Sequence, residues 1–351
     1  MQRDNTIDIL KGLAIICIVQ CHAAWILPLS GFNIGDFTCT FHVMSFVFSA
    51  GYLFRGISSK KEMYSGIGKR FVKLWYLFFS YSAVLLILNP LFVKLHILAP
   101  EGRLSPIRGL YQAMLMLNDQ QLLYPMWFVP MFLIATCIFT AVFAFAQQRK
   151  HKLFWHCAAA AVCGLAGLYS YVIEFFPQYY ANASLLCVPV IYGGYLCSVY
   201  KDKVMKYVKW WTSFIAAFIM LVILATTDQT IDISSYKIIS PLMFYPVTAL
   251  GIYMALGFAK GLARVPYLSS FLSLAGRNSF HIMALHLLGF KIVDLFWGLV
   301  SGAAPAVYEK FPTAFDFWYI YLIFGTLFSI AVAELGKFII SRFKAKTLVH
   351  Q

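Results

Sequence analysis

Lys11 and His22 are the first residues of the sequence whose types and spacing could do chemistry. Both lie in an apolar segment at residues 6–27, where an ionisable side chain is costly and usually belongs to a site. Eleven residues along an α-helix return to within about 20° of the starting face and rise roughly 16 Å. Asp8 precedes Lys11 by one turn and can pair with its ammonium group. The spacing therefore predicts a cation at the mouth of a groove and an imidazole deep inside it.

Such a groove suits acid–base chemistry on an anionic donor. Imidazole titrates near neutral pH and often acts as a general base. A donor such as a coenzyme A thioester could place its phosphates at the Lys11 end and its acyl group near His22. A lysine that only reaches the membrane interface and a histidine that only packs would show the same spacing, so periodicity alone leaves both interpretations open.

A second histidine, His42, lies near the outer end of the next apolar segment, residues 37–55. Antiparallel packing of the first two segments can bring it opposite His22, and a histidine pair suits general acid–base catalysis. An interfacial histidine that bonds a loop carbonyl is an equally weighted interpretation of His42 taken alone.

The segment at residues 278–298 carries further polar groups. Asn278 lies at its start and His286 lies near its middle, where an unpaired imidazole is costly. Lys291 and Asp294 of this segment are three residues apart, and so are Glu334 and Lys337 of the segment at 317–340. The spacing puts each oppositely charged pair on one helix face and predicts a structural role for both pairs.

The elements that must position these residues are membrane helices. Of the 351 residues, 61% are hydrophobic and only 12% are charged, whereas soluble domains carry about 25% charged residues. A spanning helix needs about 20 apolar residues. The composition predicts an all-α integral membrane protein, a single domain over residues 1–351 with about ten transmembrane helices. Their approximate bounds are 6–27, 37–55, 71–93, 125–146, 153–175, 182–200, 209–227, 238–260, 278–298 and 317–340.

The distribution of charge tests this count. With both termini cytoplasmic, 22 of the 28 basic residues fall on the cytoplasmic side, as expected for a multi-pass protein. The net charge of +14 is therefore explained by membrane topology, and no nucleic-acid-binding motif accompanies it. The eight cysteines form no CxxC pattern, and no HExxH, GxSxG or phosphate-loop motif is present. We expect no metal and no disulfide.

Several stretches of the sequence resemble, in order, the motifs of the membrane acyltransferase-3 family. They are Asp8-Ile-Leu-Lys-Gly-Leu-Ala followed by His22-Ala23, Phe41-His42 to Gly51-Tyr52, Lys69-Arg70-Phe71, Trp127-Phe128-Val-Pro130, and Gly276-Arg-Asn-Ser279 followed by His286. The resemblance is greatest to the fucose 4-O-acetylase-like branch and covers nearly the whole chain.

The resemblance implies transfer of an acyl group, usually acetyl, from acyl-coenzyme A to a carbohydrate hydroxyl on a cell-surface or lipid-linked glycan. It implies a multi-pass protein of a bacterial plasma (inner) membrane. It does not specify whether the protein forms a homo-oligomer, which sugar is the acceptor or which acyl chain is transferred. The implied roles are His22 as general base or covalent acyl carrier, His42 as its partner, Lys11 and Arg70 at the coenzyme phosphates, Asp8 orienting Lys11, and Trp127, Asn278 and His286 lining the cavity.

Four positions depart from the family pattern, and one of them is Trp75, which stands where a proline is common. Lys11 stands where arginine is more usual, which keeps the charge and loses the planar fork. Met44 replaces a usual proline, and Ala50 replaces a usual serine, so a hydroxyl at that position is unavailable.

A transporter or flippase for a glycan or organic anion is the alternative function, since it would use the same buried polar groups as a translocation path. Transporters often contain paired repeats with interrupted helices, and the sequence shows no such symmetry. A structural subunit is a third reading, but it leaves the His22 and His42 arrangement unexplained.

Overall fold

The protein is a bundle of α-helices in a computed structural model that describes residues 5–23, 28–29, 32–100, 105–117, 120–227, 231–309 and 317–349. The helices are α1 (Asn5–Ala23), α2 (Ile34–Cys39), α3 (His42–Tyr52), α4 (Lys60–Lys94), α5 (Pro106–Met114), α6 (Phe128–Gln147), α7 (Lys152–Val172), α8 (Ala181–Val199), α9 (Lys201–Met205), α10 (Thr212–Thr227), α11 (Pro241–Leu262), α12 (Pro266–Arg277), α13 (Ser279–Ser301), α14 (Pro305–Tyr308) and α15 (Trp318–Val349). A short antiparallel ladder pairs β1 (Pro28–Leu29) with β2 (Phe32–Asn33).

Eight helices of the described chain are long and apolar enough to cross a membrane, which confirms the all-α membrane bundle. They are α1, α4, α6, α7, α8, α11, α13 and α15. The other two predicted segments form shorter helices. The segment at 209–227 forms α10, of 16 residues, and the segment at 37–55 is divided between α2 and α3.

The break between α2 and α3 has a local cause. The hydroxyl of Thr40 donates to the carbonyl of Phe37 at 2.6 Å, and the backbone N–H of Phe41 donates to the carbonyl of Thr38 at 3.3 Å. Such bonds compete with a continuous helix. As a result His42 is the first residue of α3 rather than a residue inside a long helix.

Helix α1 lies at the centre of the bundle, in contact with α3, α11, α12, α13 and α15. Ile9 and Leu10 belong to one hydrophobic cluster, whereas Ile15 and Val19 belong to another. The first cluster includes residues of α3, α8 and α11, and the second includes residues of α4 and α13. Side chains of α1 therefore reach both halves of the core.

Glycines let α1 and α12 approach closely. A methyl group at Gly12 would overlap the carbonyl of Leu272, and one at Gly276 would overlap the carbonyl of Asp8. A methyl group at Gly51 of α3 would overlap the carbonyl of Ile191 in the same way, so α3 and α8 also pack closely.

Candidate active site

Two cavities lie along α1, one toward each end. The Lys11 cavity has about 950 Å³ of empty space, part of it open to the outside, and is lined by residues that include Lys11, Ile15, Phe46, Ser49, Ala50, Lys73 and Phe132. The His22 cavity has about 650 Å³ of empty space, also partly open, and is lined by residues that include Cys21, His22, Cys39, His42, Trp127, Asp232 and Ser234. The predicted separation of Lys11 and His22 along one helix face thus corresponds to two distinct spaces.

The two cavities adjoin. Ile18 of α1, Phe128 of α6 and Met283 of α13 line both of them. We call these three residues the junction. All three are apolar, so the charged end of one cavity is separated from the polar end of the other by a hydrophobic step.

His22 lies beside a second buried imidazole in the His22 cavity. The ring centroids of His22 and His286 are 5.2 Å apart with an interplanar angle of 36°, and the ring of Tyr124 meets His22 edge-on at 6.3 Å. The ring nitrogens of His22 make no hydrogen bond to any described residue, which leaves them available to a substrate.

The other two histidines of the site have a ring nitrogen that is already engaged. His286 Nδ1 lies 2.8 Å from the carbonyl oxygen of Ile282, and His42 Nδ1 lies 2.8 Å from that of Thr38. Only a protonated Nδ1 can donate to a carbonyl, so in the neutral rings the lone pair is on Nε2. His286 Nε2 is buried and has no hydrogen-bond partner among the residues that the structure describes. His42 is buried, bonds the carbonyl of Thr38 in α2 and also lines the cavity, so its catalytic role stays a prediction.

Two cysteines, to which the sequence assigned no site, also lie here. Cys21 Sγ is 3.8 Å from Cys39 Sγ and 4.0 Å from His42 Nδ1, and the three ligand atoms lie within 4.8 Å of one another. This spacing could hold a metal ion, but His42 Nδ1 cannot coordinate one while it donates to Thr38. The cluster was missed because its members lie on three elements and form no sequence motif.

At the other end, Lys11 Nζ lies 3.5 Å from Asp8 Oδ1, as the one-turn spacing predicted. The exposed Lys73 of α4 lines the same cavity, so two ammonium groups flank it. The family resemblance implied Arg70, three residues earlier, at the coenzyme phosphates instead. In α4, Arg70 Nη1 donates to the carbonyl of Thr136 and the hydroxyl of Thr140, at 3.3 and 3.2 Å, and Arg70 is not among the residues that line the cavity.

Asn278 is not among the residues that line the two cavities, although its neighbour Ser279 lines the Lys11 cavity. Its Nδ2 donates to Glu334 Oε1 at 2.8 Å, and its Oδ1 accepts a hydrogen bond from Lys337 Nζ at 2.6 Å. This network connects the start of α13 to α15.

The two predicted structural ion pairs are confirmed, at 2.8 Å for Lys337 with Glu334 and 3.2 Å for Lys291 with Asp294.

Trp127 and Asp232 complete the His22 cavity. The indole ring of Trp127 lies 4.7 Å from the ring of Tyr180, centroid to centroid. Asp232 Oδ1 accepts hydrogen bonds from the backbone N–H of Ser234 at 3.0 Å and from its hydroxyl at 2.5 Å. Asp232 was not predicted, although an aspartate with serines two and three residues later is a recognisable turn signal.

Comparison with known proteins identifies the family. The acyltransferase-3 family model, described as an acyltransferase domain, matches residues 4–334. The chain belongs to the acyltransferase-3 family. The resemblance in the ordered motifs is thereby confirmed, while membership of the fucose 4-O-acetylase-like branch stays a prediction. Searches of curated proteins and of solved structures found no significant match to this acyltransferase-3 chain.

Proposed function

We propose that this membrane acyltransferase moves an acyl group, most simply acetyl, from acyl-coenzyme A to a hydroxyl of a cell-surface or lipid-linked carbohydrate, at the inner membrane of a bacterium. The observation that carries the proposal is the pair of adjoining cavities along α1, one cationic and one lined by histidines. A group-transfer enzyme needs such an arrangement, because two chemically different substrates must meet at one point.

The Lys11 cavity suits the donor. Lys11 and Lys73 can attract the phosphates of coenzyme A, because ammonium groups act as point charges toward phosphate. In the predicted orientation this end faces the cytoplasm, where acyl-coenzyme A is made. Asp8 lies beside Lys11 and orients its ammonium group. The apolar part of the cavity, at Phe46 and Phe132, accommodates the arm that carries the thioester.

The His22 cavity suits a polyhydroxylated acceptor. Trp127 offers an aromatic surface, and Asp232 and Ser234 offer oxygen atoms that can bond sugar hydroxyls. In the predicted orientation this cavity is in the outer half of the membrane protein, on the side where surface glycans are assembled.

The proposed chemistry is a proton transfer coupled to acyl transfer. His22 removes the proton from the acceptor hydroxyl as its oxygen attacks the thioester carbonyl. The carbon–sulfur bond then breaks, and the proton on His22 passes to the departing sulfur, which leaves as the free thiol of coenzyme A. His42 and His286, whose Nδ1 atoms are held by backbone carbonyls, position the reacting ring and the acceptor.

The alternative function, a transporter for a glycan or organic anion, also predicts a path through adjoining cavities. Transport leaves the thioester intact, so the two functions differ in a direct assay. The full-length protein in lipid nanodiscs is incubated with acetyl-coenzyme A and the cell-envelope glycan fraction of its host. Release of free coenzyme A with acetylation of the glycan supports the transferase, whereas unchanged thioester with flux through proteoliposomes supports the transporter.

A further inference from the structure

We propose that the junction of Ile18, Phe128 and Met283 limits the transferred group to acetyl, so that these residues set the acyl-chain specificity. The proposal rests on the proposed function, because it assumes that a thioester donor enters the Lys11 cavity. Neither the family match nor the histidine cluster specifies which residues select the acyl group, and the proposal assigns that selection to the junction.

The register of α1 puts the junction next to the reacting groups. Ile18 lies one turn before His22 on the same helix, and residues four apart have neighbouring side chains. Ile15, Ile18 and His22 therefore follow one another along the lining, the first in the Lys11 cavity and the last in the His22 cavity. A thioester carbonyl within reach of His22 must place its acyl chain beside Ile18.

The side chains around the junction leave few directions in which a longer acyl chain could extend. The rings of Phe46 and Phe132 lie 6.0 and 5.2 Å from the ring of Phe128, centroid to centroid. Met283 is 5% exposed and belongs to the hydrophobic cluster between α4 and α13. An acetyl group adds one methyl to this packed apolar surface, whereas each further methylene must displace a side chain or turn toward the polar cavity.

Shortening a junction residue should open this space. Ile18→Ala removes three carbon atoms beside the position of the acyl chain, and butyryl has two carbons more than acetyl. Because one methylene in an apolar pocket commonly changes specificity by a factor of about ten or more, we expect the acetyl-to-butyryl preference to fall by about tenfold in this variant. Met283→Ala should shift the preference in the same direction, because Met283 of α13 lines both cavities as well.

The test uses the full-length protein in nanodiscs with equimolar acetyl- and butyryl-coenzyme A and the host glycan fraction, and it measures both acylated products by mass spectrometry. Ile16→Ala is the matched control, because Ile16 lies on the same helix and packs against the other hydrophobic cluster, away from the lining of both cavities. Met283→Ala provides a second test if Ile18→Ala does not fold.

The outcomes separate this proposal from the proposed function. A lower acetyl-to-butyryl ratio in Ile18→Ala or Met283→Ala, with the wild-type ratio kept in Ile16→Ala, supports the junction. Acetyl transfer with an unchanged ratio in both junction variants overturns the junction and leaves the transferase intact. Failure of the wild-type protein to transfer either group contradicts both proposals.

Discussion

The ring of His22 lies 5.2 Å from the ring of His286, although the two residues are 264 positions apart in the chain. His286 is fully buried, and its Nδ1 is held by the carbonyl of Ile282. This contact gives the ring of His22 a polar neighbour whose own ring is held in place.

Replacement of His22 by alanine is expected to abolish acyl transfer, with a loss of at least about 10²-fold, because a positioned base is removed from the acceptor hydroxyl. The measurement is the acetyl content of the host's surface glycans at matched protein level. His151→Ala is the control, since His151 is exposed and precedes α7. Retention of wild-type glycan acetylation in His22→Ala would refute the assignment of His22 as base.

Replacement of Lys11 by alanine should raise the KM for acetyl-coenzyme A by about tenfold, because one of the two ammonium groups at the donor cavity is lost. Lys11→Arg keeps the charge and should restore the KM to within a few-fold of wild type. Initial rates of coenzyme A release across a range of donor concentrations give both values. Equal effects of Lys11→Ala and Lys11→Arg would contradict a role based on charge.

Lys73 and Arg70 should behave differently although they lie three residues apart on α4. Lys73→Ala is expected to raise the KM for the donor, since Lys73 lines the cavity. Arg70→Ala should instead lower the thermal stability, because it removes the bonds to Thr136 and Thr140 of α6. Kinetics and thermal unfolding of both variants in the same detergent provide the comparison. A larger increase in KM for Arg70→Ala than for Lys73→Ala would indicate that Arg70, as the family resemblance implied, binds the coenzyme A phosphates.

The contact of α1 with α12 should tolerate no side chain at Gly12. Gly12→Ala is expected to destabilise the protein by at least about 2 kcal/mol, because the new methyl overlaps the backbone of Leu272 and no flexible side chain can give way. Gly66→Ala is the matched control, because Gly66 lies in α4 and no atom of the described residues comes within 4 Å of the added methyl. Its expected effect is a slight stabilisation from helix propensity. Thermal unfolding of both variants checks the difference, and equal midpoints would contradict the close contact.

Much of the architecture and part of the site followed from local patterns. Apolar segments indicated the membrane helices, and helical periodicity placed Lys11 and His22 along one side of α1, because both depend only on residues close in the chain. The same reasoning failed at residues 37–55, where threonine hydroxyls and turn bonds divide the segment into two helices. The role of Arg70 at the coenzyme phosphates came from the family resemblance, and in the structure Lys73 of the same basic run lines the cavity.

The remaining features arise from packing between helices that are distant in sequence. Three features depend on how α1, α6, α13 and the loop before α11 meet: the contact of His286 with His22, the apolar junction and the position of Asp232. No periodic pattern in the sequence encodes the distances between these elements. The chain alone specifies a membrane acyltransferase with a lysine and a histidine on one helix. The tertiary packing specifies two adjoining cavities, because side chains from separate helices must close around the same space.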